Sequence, residues 1–291
     1  MRYLTFLFLT VLISCQSAVD LPIIDEVYKV EFKKYEQVRQ EERDYYLKLC
    51  GLTPLPDLIA TYGNDSLSDI QVEVPGIPKI VGYFSKQGKE VVFITHPNVA
   101  VTDENEQLVD TIKYSFNEYG NSIKLYHGRL SWMIITRGGA PYVRTWDEQH
   151  PAVSAFKSFD RFPLSSEFIF EGKFKYFDEP KIRTVSTQLG PVEPVAMIGL
   201  VTFNYNGKDY SLEVGQNGFT MVGDATTGNQ TYGGGRYIDL ELPTESGNMI
   251  LDFNKLYNPP CTFSVYTTCQ YPSEENVLPF ELNAGELYSS H

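Results

Sequence analysis

The residues whose types could do chemistry are concentrated in two blocks near the C-terminal end of the chain. The first block includes Asp224, Thr231, Tyr232 and Arg236, and the second includes Asp252, Asn254, Asn258 and Cys261. An arginine can bind a carboxylate, phosphate or carbonyl group, and a nearby aspartate can act as a general acid or base. The same side chains can also neutralise one another inside the fold, since buried polar groups are normally hydrogen-bonded. The sequence leaves both interpretations open.

Two roles compete for Cys261. Cys269 follows it on a Pro- and Thr-rich segment, and a disulfide between the two would close a short loop. No histidine or basic residue adjoins Cys261 in sequence, so a nucleophilic thiol would need a partner from elsewhere in the fold. We predict the Cys261–Cys269 disulfide, which leaves Cys50 unpaired, with a nucleophilic Cys261 as the alternative.

Signatures of metals and cofactors are missing from the sequence. The four histidines are widely separated and form no i, i+4 pair, so we expect no metal site. Gly233-Gly234-Gly235 precedes a strand pattern, whereas a phosphate-binding loop precedes a helix, and Ile238 occupies the place of the third glycine of a dinucleotide motif. We therefore expect no cofactor, and a tight bend or a close backbone approach at these glycines.

The N-terminal residues have the pattern of an export signal. Arg2 is followed by an apolar run over residues 3–13, too short to span a bilayer. The run ends in Leu12-Ile13-Ser14-Cys15, which resembles the lipobox of bacterial lipoproteins. We expect a signal peptide over residues 1–14, acyl chains on Cys15 that bind a membrane, and a tether over residues 15–22. No aspartate follows Cys15, which favours the outer membrane, with the protein facing the periplasm.

Composition and periodicity predict a mainly β protein with one N-terminal helix. Residues 23–49 lack Gly and Pro and place Val27, Val30, Lys34 and Val38 near helical spacing. Short alternating segments follow from residue 56 onward, and Asn206-Gly207 between two such segments predicts a hairpin. The net charge of −13, from 37 acidic and 24 basic residues, would repel nucleic acids, so we expect no nucleic-acid partner.

We predict two β domains behind the helix. A β-sandwich-like domain is expected over residues 56–145, followed by a linker over residues 146–165 that lacks a strand period and contains prolines. A second β-rich domain, sandwich- or barrel-like, is expected over residues 166–288 and carries both chemical blocks.

The C-terminal blocks resemble a known family. The strings DATTGNQTYGGGRY, LDFNKLYNPPCTFSVYTTC and ENVLPFELNAGE are similar to the signature of the bacterial and archaeal family catalogued as domain of unknown function 1684. The resemblance implies a helix–β region followed by this β-rich part, and it implies no reaction. The positions that match the pattern are Asp224, Thr231, Tyr232, Arg236, Asp252, Asn254, Asn258, Pro259, Pro260 and Cys261.

Three functions follow from these observations as hypotheses. The first is a lipid-anchored, non-catalytic module of the cell envelope that binds a small molecule, glycan or envelope partner through the C-terminal domain. The second is an envelope hydrolase or transferase with Asp252 or Asp224 as acid or base, Arg236 as anion clamp and Cys261 as nucleophile. The third is a purely structural component, in which those side chains are buried and satisfy one another.

Overall fold

The computed structural model describes residues 19–188, 190 and 192–288. As predicted, this part of the chain is mainly β with one long N-terminal helix. The helices are α1 (Glu26–Leu47) and α2 (Pro151–Ala155). The strands are β1 (Leu49–Pro54), β2 (Ile59–Gly63), β3 (Ile70–Gln71), β4 (Gly82–Gln87), β5 (Glu90–Thr95), β6 (Thr111–Lys113), β7 (Leu125–His127), β8 (Leu130–Arg137), β9 (Ala140–Asp147), β10 (Ile169–Ser186), β11 (Val192–Tyr205), β12 (Lys208–Gly215), β13 (Phe219–Val222), β14 (Arg236–Asp239) and β15 (Gly247–Asp252).

The first nine strands form two sheets that pack face to face as a sandwich. One sheet has the order β1-β9-β8-β7 and the other β3-β2-β4-β5-β6. Alternating side chains of the two inner faces meet in an aromatic core, where the Trp132 ring lies 5.1 Å from that of Tyr62 and 5.2 Å from that of Phe93. β1 pairs with β9, so the first sheet includes residues that precede position 56.

The opposite face of the β1-β9-β8-β7 sheet points away from this core. On β9 it carries Tyr142, Arg144 and Trp146, which alternate with the inward-facing Val143. On β8 the residues paired with Tyr142 and Arg144 are Ile135 and Met133. This outer face is one wall of the cleft described below.

The remaining strands form a second unit. Its sheet has the order β12-β11-β10-β15, and β13 pairs with β14 in a separate ribbon. The predicted hairpin is confirmed, because Tyr205 pairs with Lys208 across Asn206 and Gly207, both at positive φ. The core includes Phe203 and Phe253, whose rings lie 5.5 Å apart, and the irregular segment 278–288 covers it with Leu282 and Ala284.

Helix α1 packs on the second unit through aromatic residues and not through the valines that recur at helical spacing. Val27, Val30 and Val38 are at least half exposed. Tyr28 and Phe32 are buried, and the hydroxyl of Tyr35 donates to the carbonyl of Lys255 at 2.6 Å. Aromatic rings bury more apolar area than valine and carry phenols that reach polar partners, which explains why this face is the one that packs.

The end of α1 contacts the sandwich, so the helix connects the two units. The indole nitrogen of Trp146 donates to the carbonyl of Tyr45 at 2.9 Å, and the two rings lie 5.2 Å apart. The helix begins after Asp25, which caps it by accepting from the backbone N–H of Tyr28, and it ends at Leu47.

The segment predicted as a linker, residues 146–165, is ordered by specific contacts. It begins inside β9 and contains α2. Arg161 forms an ion pair with Glu36 of α1, and its guanidinium lies 4.5 Å from the centre of the Phe32 ring. The residues predicted as signal peptide and Cys15 lie outside the described residues. In the part of the chain that the structure describes, neither helix is long and apolar enough to cross a membrane.

The packing of α1 predicts that Phe32→Ala lowers the free energy of unfolding by about 3 kcal/mol, because it leaves a cavity between the helix and the second unit. Val30→Ala is the matched control on the exposed face, with an expected change within about 0.5 kcal/mol. Urea unfolding of both variants measures the difference. Equal losses for the two variants would contradict the helix orientation.

Candidate functional site

The first chemical block forms a buried ion pair. Nη2 of Arg236 lies 3.0 Å from Oδ2 of Asp224, and both side chains are fully inaccessible to solvent. Oδ1 of Asp224 accepts from the hydroxyl and backbone N–H of Thr226 and from the N–H of Leu282. The hydroxyl of Thr231 lies 2.9 Å from that of Thr226 and extends the network. Asp224 therefore has no contact with solvent through which it could exchange a proton with a substrate.

Arg236 also holds the C-terminal segment. Its guanidinium donates to the backbone carbonyls of Leu282, Ala284 and Glu286. Burial lowers the pKa of Arg236, and the neighbouring Asp224 opposes that shift. These contacts use the guanidinium to fasten residues 282–286 to β14, so Arg236 does not serve as an anion clamp for a ligand.

The glycine run is the predicted tight bend. The N–H of Gly235 donates to the carbonyl of Tyr232 at 3.0 Å, and Gly235 has a φ of 78° immediately before β14. A Cβ on Gly234 would lie 2.5 Å from the Tyr232 ring and 2.6 Å from the Tyr271 ring, so only glycine fits. Partial burial raises the pKa of Tyr232 to about 12, helped by the neighbouring Tyr271 and Tyr288.

The second block forms a separate buried network beneath α1. Oδ2 of Asp252 accepts from the hydroxyl of Tyr28 at 2.8 Å, and Oδ1 accepts from the backbone and side-chain N–H groups of Asn254. Burial, followed by the charge of Asp252, raises the pKa of Tyr28. The amide of Asn254 exchanges two hydrogen bonds of 2.9 Å with the backbone of Ser165. These side chains connect the helix, the segment before β10 and the end of β15.

Asn258 connects the segment after β15 to the C-terminal segment. Its backbone N–H donates to Oε2 of Glu286, and its side chain donates to the carbonyl of Leu287, both at 2.8 Å. Glu286 also forms an ion pair with Arg43 of α1. Oδ1 of Asn258 is buried and makes no hydrogen bond, and Asn258 lines the cleft described next.

The disulfide between Cys261 and Cys269 is present, as predicted, so the sulfur of Cys261 is not a free thiol. Cys50 is a free thiol, and burial raises its pKa to about 12. Among the described residues, no three His, Cys, Asp or Glu side chains lie close enough together to hold a metal ion.

A large concave space lies elsewhere, between α1, the outer face of the β1-β9-β8-β7 sheet and the second unit. Its volume is about 970 Å³. Of the predicted site residues, Asn258 and Cys269 line it, whereas Asp224, Thr231, Tyr232, Arg236, Asp252, Asn254 and Cys261 do not. The structure thus places most of the predicted residues in the framework behind the cleft rather than in its walls.

Aromatic and charged side chains from both units line the cleft. The aromatic ones are Tyr45, Tyr46, Tyr119, Phe219, Tyr237, Tyr257 and Phe263, and the arginines are Arg39, Arg43, Arg137 and Arg144. Two carboxylates of the cleft already have hydrogen-bond donors within the protein. Asp239 accepts from Arg39 and from the hydroxyl of Tyr257, and Glu193 accepts from the amide of Gln270. Sequence analysis missed Arg137 and Arg144, because no local pattern distinguishes a strand face that lines a cleft from one that faces solvent.

The fold and the cleft define a two-unit, mainly β protein with a ligand-sized space at the junction of its units. Residues 154–287 match the model of the family described as Protein of unknown function (DUF1684), which confirms the resemblance noted from the sequence. No curated protein matches the chain. The chain is also similar to the solution NMR structure of an uncharacterized protein from Haloarcula marismortui, at 24% identity and a TM-score of 0.39, over 46% of this chain and 78% of that chain.

The buried ion pair predicts that Asp224→Asn lowers the free energy of unfolding by roughly 3–5 kcal/mol, since it leaves the charge of Arg236 without compensation inside the protein. Glu90→Gln breaks an exposed ion pair with Lys113 and is the matched control, with an expected loss within about 1 kcal/mol. Guanidinium unfolding of both variants measures the losses. A change of stability in Asp224→Asn as small as that of the control would contradict the framework role.

Proposed function

We propose that the protein is a non-catalytic binding module that takes a small molecule or a glycan into the cleft between its two units. The observation that carries the proposal is the concave space of about 970 Å³ at their junction, since pockets of roughly 300–1,000 Å³ between domains are the usual sites of small ligands.

Rigid aromatic walls support this proposal. The rings of Phe219 and Tyr237 lie 4.8 Å apart, and those of Tyr237 and Tyr257 lie 6.0 Å apart, in both cases edge to face. Hydrogen bonds from the phenols of Tyr237 and Tyr257, to the carbonyl of Gln270 and to Asp239, fix both side chains. Aromatic surfaces held in this way can stack on a sugar or an aromatic ring with little loss of conformational entropy.

The engaged carboxylates favour binding over catalysis. A general acid or base needs a carboxyl group that can reach the substrate and change its protonation state. Asp239 is held by Arg39 and Tyr257, and Glu42 forms an ion pair with Arg39. The two aspartates considered for acid–base chemistry, Asp224 and Asp252, are buried in framework networks.

We further propose that acyl chains on Cys15 anchor the protein to the outer membrane, facing the periplasm. The support is the apolar run over residues 3–13 that ends in Leu12-Ile13-Ser14-Cys15. The Cys261–Cys269 disulfide is compatible with an oxidising compartment.

The anchor proposal predicts that Cys15→Ser moves the protein from the membrane fraction to the soluble fraction of a Gram-negative host, because the acyl chains that bind the bilayer are no longer attached. Immunoblots of fractionated cells measure the distribution, and Ser14→Ala, which keeps a small residue before the cysteine, is the control. Cys15→Ser that still sediments with membranes would contradict the anchor.

The binding proposal predicts a hit in a thermal-shift screen of metabolites and oligosaccharides against the full chain, with binding that becomes about tenfold weaker in Tyr46→Ala through lost stacking. Tyr83→Ala removes a ring on the sandwich that does not line the cleft and should leave binding unchanged. Titration calorimetry measures the affinities. A hit with the same affinity in Tyr46→Ala and wild type would place the ligand elsewhere.

A further inference from the structure

Arg144 is a buried arginine without a carboxylate partner. It lies on β9, is 7% exposed and lines the cleft. Its Nε makes no hydrogen bond, and no carboxylate of the described residues lies within ion-pair distance of its guanidinium. Burying a charge without an opposite charge is unfavourable, so such a residue needs an explanation outside the stability of the fold.

A second arginine shares the same wall. Arg137 ends β8, on the same sheet face as Arg144. It donates to the hydroxyl of Thr268 at 3.3 Å and to the carbonyl of Thr136 at 2.7 Å, both uncharged acceptors. Burial and, to a smaller extent, the positive charge of Arg137 lower the pKa of Arg144, while the nearby phenol of Tyr45 opposes the shift. Two like charges thus converge on one region of the cleft.

The other arginines in the described part of the chain all pair with carboxylates. They are Arg39 with Asp239 and Glu42, Arg43 with Glu286, Arg129 with Asp147, Arg161 with Glu36, Arg183 with Glu213 and Glu275, and Arg236 with Asp224. The chain contains 37 acidic residues against 24 basic ones, so carboxylates are abundant. Both arginines that lack a carboxylate partner therefore face the same cleft, whose wall carries two uncompensated positive charges.

We propose that Arg144 and Arg137 bind an oxyanion, a carboxylate or a phosphate, of the ligand that occupies the cleft; this inference rests on the proposed binding function. The guanidinium group presents planar donors that match both anions. The ligand class is then an acidic small molecule in which a ring stacks on the aromatic wall and the anionic group reaches the arginines. The competing explanation is that the fold itself needs the charge of Arg144.

Stability measurements on the full chain separate the two explanations. Arg144→Met removes an uncompensated charge at similar length, and we expect it to raise Tm by about 2–4 °C. Arg129→Met is the matched control, since Arg129 lies in the same sandwich but contacts both oxygens of Asp147, and it should lower Tm. A lower Tm in Arg144→Met would show that its charge is needed by the fold and would overturn the inference.

Binding measurements test the anion directly with phenyl phosphate, benzoate and phenol, which share one ring. For wild type we expect at least one of the two anions to bind roughly tenfold more tightly than phenol, and Arg144→Met to abolish that preference. Arg129→Met should retain it. The relative affinities of phenyl phosphate and benzoate identify the anion that the site prefers.

The outcomes distinguish this inference from the proposed function. Binding of all three probes with equal affinity overturns the anion site and leaves the binding cleft supported. A preference for anions that persists in Arg144→Met also overturns it. Failure of all three probes to bind overturns the anion site, whereas the cleft as a binding site is contradicted only if the metabolite and oligosaccharide screen is negative as well.

Discussion

The structure depends on the buried ion pair between Arg236 and Asp224. Because neither side chain contacts solvent, the charges are stable only if each is surrounded by hydrogen-bonding partners. The two terminal nitrogens of Arg236 meet this requirement with Asp224 and the carbonyls of Leu282, Ala284 and Glu286, while its Nε makes no hydrogen bond. A segment without regular secondary structure is thereby fixed against β14, and its apolar side chains complete the core of the second unit.

The fixed segment in turn positions α1. Glu286 lies within it and binds both Arg43 of the helix and the backbone of Asn258. At the other end of the helix, Tyr28 reaches Asp252. The helix is therefore held at several points on the second unit while its last turn contacts Trp146 of the sandwich. The cleft exists because the helix spans the two units without filling the space between them.

Local patterns were sufficient to predict β structure after residue 56 and the hairpin at Asn206-Gly207, because alternation and that residue pair act over a few residues. They did not predict β1, which precedes position 56. The contact face of α1 was not predictable in the same way. Valines and aromatic residues both recur at helical spacing, and only the partners Asp252 and Lys255, distant in sequence, select the aromatic face. Mutual neutralisation inside the fold was one of the two interpretations of Asp224 and Arg236. The complete burial of both side chains favours it over a role in ligand binding. The cleft joins residues from both units, which no local pattern encodes.

The framework and the cleft wall belong to different parts of the chain. Asp224, Arg236, Asn258 and Glu286 all lie within residues 154–287, which match the family model, whereas Arg137 and Arg144 lie outside that range. A protein that shares only the matched region would contain the framework but not this pair of arginines. Since the net charge of −13 opposes the approach of any anion, selectivity for an acidic ligand has to come from short-range contacts with that pair. On the proposed function, the N-terminal sandwich would therefore supply the preference for an anionic group.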